Sequence, residues 1–160
     1  MLPPKLKSGD KIGIAAFAKK ISFLEIQHSI SVFKSWGLEV VVGQTIGASW
    51  NQFGGNDEMR KNDIQSMIDD PEIKAIISAR GGYGSVRIID DIDFTSFKNN
   101  PKWLIGFSDV TTFHSHIHTS FSIPTIHATM PVFFQNNSEE SISSLKSILM
   151  DEVMGYKETS

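Results

Sequence analysis

The chain has 160 residues, with 15 Lys and Arg against 18 Asp and Glu for a formal charge of −3, and 40% hydrophobic to 21% charged residues. That length suits one domain with a single sizeable core, and 11 Phe and 3 Trp carry too much apolar surface for a disordered chain. The mild acidity argues against a dedicated nucleic-acid binder, which needs a basic face, and against a membrane-surface protein. Cysteine is absent, so disulfides, cysteine zinc sites and thiol nucleophiles are excluded. No run approaches the ~20 apolar residues that span a bilayer. The N-terminus reads as no signal peptide, which makes the cytoplasm the expected location.

In chain order, Ile12-Gly-Ile-Ala-Ala-Phe17 is a short apolar run of the kind that forms a strand buried on both faces. Ile26, Ile30 and Phe33 recur at helical spacing, and Gly37 stands where a C-terminal cap glycine belongs. Residues 38–42 read as a second strand and the polar stretch 50–56 as a loop. A second helix is expected from Asn56 or Asp57, whose side chains cap free N–H groups. Met59, Ile64, Met67 and Ile68 form its apolar side, and Asp69-Asp70-Pro71 stops it. Residues 74–78 are the third strand, followed by the glycine loop Arg80-Gly-Gly-Tyr-Gly-Ser85 and a short helix over 85–92. Then come a fourth strand (103–105), a helix (109–119) and a fifth strand (125–127). Residues 135–140 read as a polar linker. Residues 141–154 read as an amphipathic helix through Ile142, Leu145, Ile148 and Leu149.

Such alternation implies an α/β fold, a mostly parallel sheet with helices on both faces. Ligands of these sheets bind at the carboxyl ends of the strands, where the glycine loop and Gly106-Phe-Ser-Asp109 fall. The second of these has the strand–turn–helix context of a nucleophile elbow, with Val110 in place of the usual second glycine. It would lift Ser108 to a helix N-terminus, where free N–H groups and the dipole favour an oxyanion. The same residues also suit a plain helix cap at Ser108 or Asp109. The glycine loop offers backbone N–H groups that no Cβ shields, open to a substrate or an oxyanion, or it is a flexible turn. It is not a dinucleotide fingerprint, because Arg87 takes the third glycine's place and the loop follows the third strand.

His114, His116 and His118 invite a metal reading, but on a helix only the outer two share a face and no carboxylate completes the site. His127, at a strand end, is the in-chain candidate for a base, and equally a packed histidine. No His–Asp or His–Glu pair stands out to activate Ser108.

Several stretches then act together: Gly55-Asn-Asp-Glu58 with Arg60, Arg80-Gly-Gly-Tyr-Gly-Ser85 with Arg87, Asp93-Phe94, Ile105-Gly-Phe-Ser-Asp-Val-Thr111 with His114, and Thr125-Ile-His-Ala-Thr-Met130. In this order they resemble the N-terminal part of the LD-carboxypeptidase family of serine peptidases, the muramoyltetrapeptide carboxypeptidases, which includes the microcin C immunity peptidases. The resemblance covers residues 3–135. It implies a flavodoxin-like domain similar to that of class I glutamine amidotransferases, with Ser108 as nucleophile and the backbone N–H groups of Asp109 and Gly82 as oxyanion hole. The implied reaction is hydrolysis of an L,D peptide bond that frees terminal D-Ala from a murein tetrapeptide during cytoplasmic cell-wall recycling. No metal or other cofactor is implied.

Arg80 and Arg87, with Gly81 and Tyr83 beside them, are candidates for substrate contact, since Arg suits carboxylates. Arg87 equally suits a structural ion pair. The family carries its triad Glu and His in a C-terminal domain. Residues 1–134 are therefore expected to form the nucleophile-bearing domain, and residues 135–160 to lead towards that missing domain. Alone, the chain is expected to be inactive. His127 is not the family's triad histidine. The chain departs from the family at Phe17-Ala-Lys19, where a Pro-Ser pair is usual, and at His127-Ala-Thr-Met130, where His-Gly-Pro-Met is usual. A homodimer is expected, and an uncovered interdomain face adds to self-association. Two other readings stay open: a microcin C-type immunity peptidase, and a non-catalytic α/β module whose glycine loop holds an anion.

Overall fold

The computed structural model describes residues 1–151. Strands β1 (Lys11–Ala15), β2 (Glu39–Val42), β3 (Ile73–Ser78), β4 (Trp103–Gly106) and β5 (Ile126–His127) form one sheet in the order β2-β1-β3-β4-β5. Every pair is parallel. This is the flavodoxin-like order, which reverses between β1 and β3 and leaves a crevice at the carboxyl ends of those strands.

Alternation along β1 explains why it is central. Ile12 and Ile14 pack with Ile26, Ile30 and Phe33 of α1 (Phe23–Ser35) and with Leu145 and Leu149 of α5 (Glu139–Met150). Ala15 and Phe17 instead join Ile64, Met67 and Ile68 of α2 (Asp57–Asp69), Phe97 of α3 (Thr95–Asn99), and Phe113 and Ile117 of α4 (Thr111–Phe121). Each large side chain buried this way contributes about 1.5–3 kcal/mol relative to exposure. Helices thus cover both faces, as the alternation requires. Among the described residues no helix is long and apolar enough to cross a membrane.

Helix ends follow local chemistry. Ser22 and Glu25 form a capping box at the start of α1, Gly37 (φ +83°) follows its end, and the Asn56 side chain accepts the Met59 N–H at 2.8 Å to open α2. Several boundaries differ from the sequence reading. β1 stops at Ala15, short of Phe17, because the Ala16 N–H turns to Thr45 Oγ1 at 2.8 Å and the Phe17 carbonyl to Arg60 at 2.7 Å. Residues 85–92 form two 3-10 turns, Ser85–Arg87 and Ile89–Asp91, in place of a helix. The Gly84 carbonyl closes the first turn on the Arg87 N–H at 3.1 Å while also holding Arg60.

Helix α4 starts at Thr111 after a 3-10 turn over Ser108–Val110, and the five-residue α3 is too short to show a period. α5 begins at Glu139, inside the expected linker, with Ser138 as its cap, and the expected helix residues 152–154 lie outside the described residues. This helix belongs to the same core as the sheet, so packing does not break after residue 134. Its last carbonyls take the Leu6 N–H at 2.8 Å and Lys5 Nζ at 2.9 Å.

Candidate active site

The carboxyl end of β4 builds the turn that carries Ser108. Gly106 has φ +154°, and a Cβ there would meet the Val110 side chain at 3.0–3.2 Å, so glycine is needed for both conformation and space. Ser108 itself adopts φ +63°, the left-handed region that costs a non-glycine residue about 1–3 kcal/mol. The turn lifts Ser108 into solvent while Gly106 and Val110 beside it are buried. Among the described residues its hydroxyl has no hydrogen-bond partner. Neither Ser108 nor Asp109 caps the helix: Asp109 Oδ2 instead accepts the Ser85 N–H at 2.9 Å, which ties this turn to the glycine loop.

That loop leaves the end of β3 and comes up against Ser108. A Cβ on Gly81 would lie 3.3 Å from Ser108 Cβ and 3.4 Å from its Oγ, and one on Gly82 (φ +129°) would lie 2.8 Å from Lys19 Cβ. Ser108, Gly81, Gly82, Phe107, Met130 and Phe133, with the cations Lys19 and Arg80, surround a cleft of about 200 Å³. The structure therefore brings Ser108, Gly81, Gly82 and Arg80 into one place, with Asp109 next in chain.

Arg87 and Tyr83 do not line this cleft. The Arg87 guanidinium grips Asp57 with Nε at 2.9 and 3.1 Å from the two oxygens and Nη2 at 2.7 Å from Oδ2, the structural ion pair weighed for it. Those hydrogen bonds hold the Asp57 carboxyl below its ordinary range. Tyr83 is exposed and its ring lies 6.5 Å from that of Phe53.

The histidines separate. His114 Nε2 sits 2.8 Å from the Gly106 carbonyl, an acceptor only, so Nε2 carries the proton and donates. Among the described residues its buried Nδ1 has no hydrogen-bond partner. Burial, the largest influence, pushes this imidazole towards its neutral form, against the Gly106 hydrogen bond and with help from His127. His127 is exposed and packs beside Phe107 and His114, and His116 lies against Phe94. Among the described residues no three groups cluster as metal ligands.

Arg60, beneath the glycine loop, is a residue that periodicity does not single out. It is fully buried, and its Nη1 donates to the carbonyls of Phe17 at 2.7 Å and Gly84 at 3.0 Å while Nη2 bonds Asp57. It joins the loop after β1 to the glycine loop. The only sequence signal was its place among the motifs that carry the family resemblance.

The family model of the LD-carboxypeptidase N-terminal domain matches residues 12–128. The chain belongs to the LD-carboxypeptidase family. Within it, a Bacillus subtilis protein named probable murein peptide carboxypeptidase is 32% identical over 128 residues, covering 80% of this chain and 40% of that protein. The murein tetrapeptide carboxypeptidase of Pseudomonas aeruginosa is 25% identical over 146 residues, 86% of this chain and 47% of that one. The chain thus spans less than half the length of these LD-carboxypeptidase relatives.

Among solved structures, the muramoyltetrapeptide carboxypeptidase of Oxalobacter formigenes superposes with a TM-score of 0.75 at 25% identity, over 86% of this chain and 47% of that one. The microcin C7 self-immunity protein MccF superposes at 0.89 and 21% identity, over 99% of this chain and 50% of that one. The second likeness is one of fold.

Proposed function

We propose that this chain is the nucleophile-bearing part of a serine LD-carboxypeptidase that releases terminal D-Ala from murein tetrapeptides in cytoplasmic cell-wall recycling. The observation that carries the reading is Ser108: exposed, with a hydroxyl free of hydrogen bonds among the described residues, at φ +63°, and against Gly81 in a cleft. In this mechanism Ser108 Oγ adds to the carbonyl carbon of the L,D bond, and the backbone N–H groups of Gly82 and Asp109 take the oxyanion. The hydroxyl proton passes to a base and then to the D-Ala nitrogen as the C–N bond breaks. Water hydrolyses the resulting ester and restores the hydroxyl. The base and its orienting acid, a His and a Glu, come from a further domain outside this chain.

Ser108→Ala in the full-length protein tests this, with D-Ala release from murein tetrapeptide as the assay. The expected result is a fall in kcat of about 10³-fold or more with an unchanged circular-dichroism spectrum. Release within tenfold of the parent removes Ser108 as the nucleophile. Equal peptide binding by both proteins, with hydrolysis by neither, favours an anion-binding module.

A further inference from the structure

Beside the Ser108 cleft lies a second and larger one of about 410 Å³, between the loop after β1, the start of α1 and residues 47–49. Lys19 and Arg80 line both clefts. The second also holds Lys20 and one carboxylate, Glu25. Glu25 is already occupied: it accepts the Ser22 N–H at 2.8 Å and the Ser22 hydroxyl at 2.9 Å, and it approaches Arg80 only to 4.0 Å. Lys20 Nζ reaches Ser49 Oγ at 3.4 Å, and Arg80 Nη1 reaches the Lys20 carbonyl at 3.3 Å. The Lys19 ammonium has no hydrogen-bond or ion-pair partner among the described residues, although its Cβ is braced against Gly82. On a chain of formal charge −3 this is a local surplus of cation, which attracts and orients anions where the rest of the molecule repels them.

We propose that Lys19 and Arg80 form an anion subsite that holds a carboxylate of the peptide substrate next to the scissile bond. The inference rests on the peptidase reading and deepens it. The smaller cleft, walled by Phe107, Met130 and Phe133, suits a single small residue. The larger one, with Lys19, Lys20 and Arg80 on its wall, takes the longer acyl part of the peptide, whose side-chain carboxylates match an Arg fork and a Lys point charge. Lys19 is then a specificity-determining residue: it selects acidic peptides over their amides and leaves the chemical step alone.

Three murein tetrapeptides test this in the full-length protein: the free acid, one with its acyl-side carboxylates amidated, and one ending in D-alaninamide. Lys19→Gln is expected to raise KM for the free acid about tenfold with kcat within threefold. It should leave KM unchanged for the acyl-side amide, and Lys19→Arg should restore the parent value. A loss of the Lys19 effect on the D-alaninamide peptide instead moves the bound carboxylate to the leaving residue and overturns the acyl-side assignment. Equal effects on all three peptides, or none on any, overturn the subsite while Ser108→Ala still decides the peptidase reading. Calorimetric binding of the same peptides to the Ser108→Ala protein, with and without Lys19→Gln, reads the subsite without turnover. Affinity that ignores both the carboxylates and Lys19, or no binding of any peptide, overturns it there too.

Discussion

Replacing Arg60 by Met asks what a fully buried guanidinium does beneath the glycine loop. The substitution relieves the cost of burying a charge, which is what pushes the Arg60 pKa down, and a flexible apolar chain fills much of the space. Against that relief stand specific losses. The Phe17 carbonyl loses a charged donor at 2.7 Å and has no second one among the described residues, a loss of about 2 kcal/mol. The Gly84 carbonyl loses its 3.0 Å partner but keeps the Arg87 N–H at 3.1 Å, so its loss is nearer 1 kcal/mol. The guanidinium also sits 4.7 Å from the centre of the Phe53 ring, for about another 1 kcal/mol. No carboxylate is orphaned, since Asp57 retains Arg87. The losses outweigh the relief by about 2 kcal/mol, which in urea lowers the unfolding midpoint by about 1 M. Arg87→Gln removes an exposed partner of the same carboxylate and is expected to leave the midpoint close to the parent's. A midpoint for Arg60→Met at or above the parent's refutes the reasoning; equal drops in both variants shift the stabilisation from the two carbonyls to the ion-pair network.

Two bases, Lys102 in the core and the half-buried His114, give pH signatures of their own. Lys102 is almost fully buried, with Nζ bonded to the carbonyls of Met67, at 2.8 Å, and Asp70, and burial pulls its pKa down to about 8. From about pH 8 to 10.5 the unfolded chain therefore holds a proton that the folded one has shed, so unfolding free energy rises with pH in that window, by about 3 kcal/mol. Urea titrations of Lys102→Met against the parent should lose this rise; parallel pH curves count against it. His114 is likewise held below its ordinary pKa of 6.5 by burial, so as pH falls below that value the unfolded chain binds the proton first and stability drops. His114→Gln keeps a donor for the Gly106 carbonyl without a titrating ring. It should flatten that acid loss in thermal melts, and an unchanged slope would assign the loss to other groups.

The sheet was legible because its strands are buried on both faces and read as apolar runs. The apolar run Ile12–Phe17 nonetheless overstates the strand by two residues, since hydropathy sees that Ala16 and Phe17 are buried but not where their backbone bonds go. The same blindness made 85–92 a helix. Ile88, Ile89 and Ile92 share a helical face on paper and all are buried, at 1%, 5% and 7% exposure. Yet the segment begins where Gly84 is pinned by Arg60 and the Ser85 N–H by Asp109, two partners distant in sequence. Tertiary anchoring chose the tighter turn over the local preference. α5 was legible as a helix, but nothing in its period said that it would seal the core against Leu6.

The site divides along the same physical line. The turn that carries Ser108 is legible because a strand, a glycine and a helix start are local features, and local features leave marks in sequence. Whether it caps the helix is not local: the answer lies in Asp109 turning to the Ser85 N–H of the glycine loop. From the loop alone Arg87 suits a substrate carboxylate and a structural ion pair equally, and only the fold brings Asp57, thirty positions earlier, onto its guanidinium. Lys19 stands out in the sequence only within Phe17-Ala-Lys19, where the family usually has a Pro-Ser pair; its place beside the cleft follows from β1 and β3 being neighbours with their ends forming one crevice. If the reversal of strand order between β1 and β3 is what creates the binding site, the residues that matter most for specificity are those on the loops after these two strands. That is where Lys19 and Arg80 stand, so selectivity among peptides should follow substitutions there, while the rate of bond cleavage follows the turn after β4.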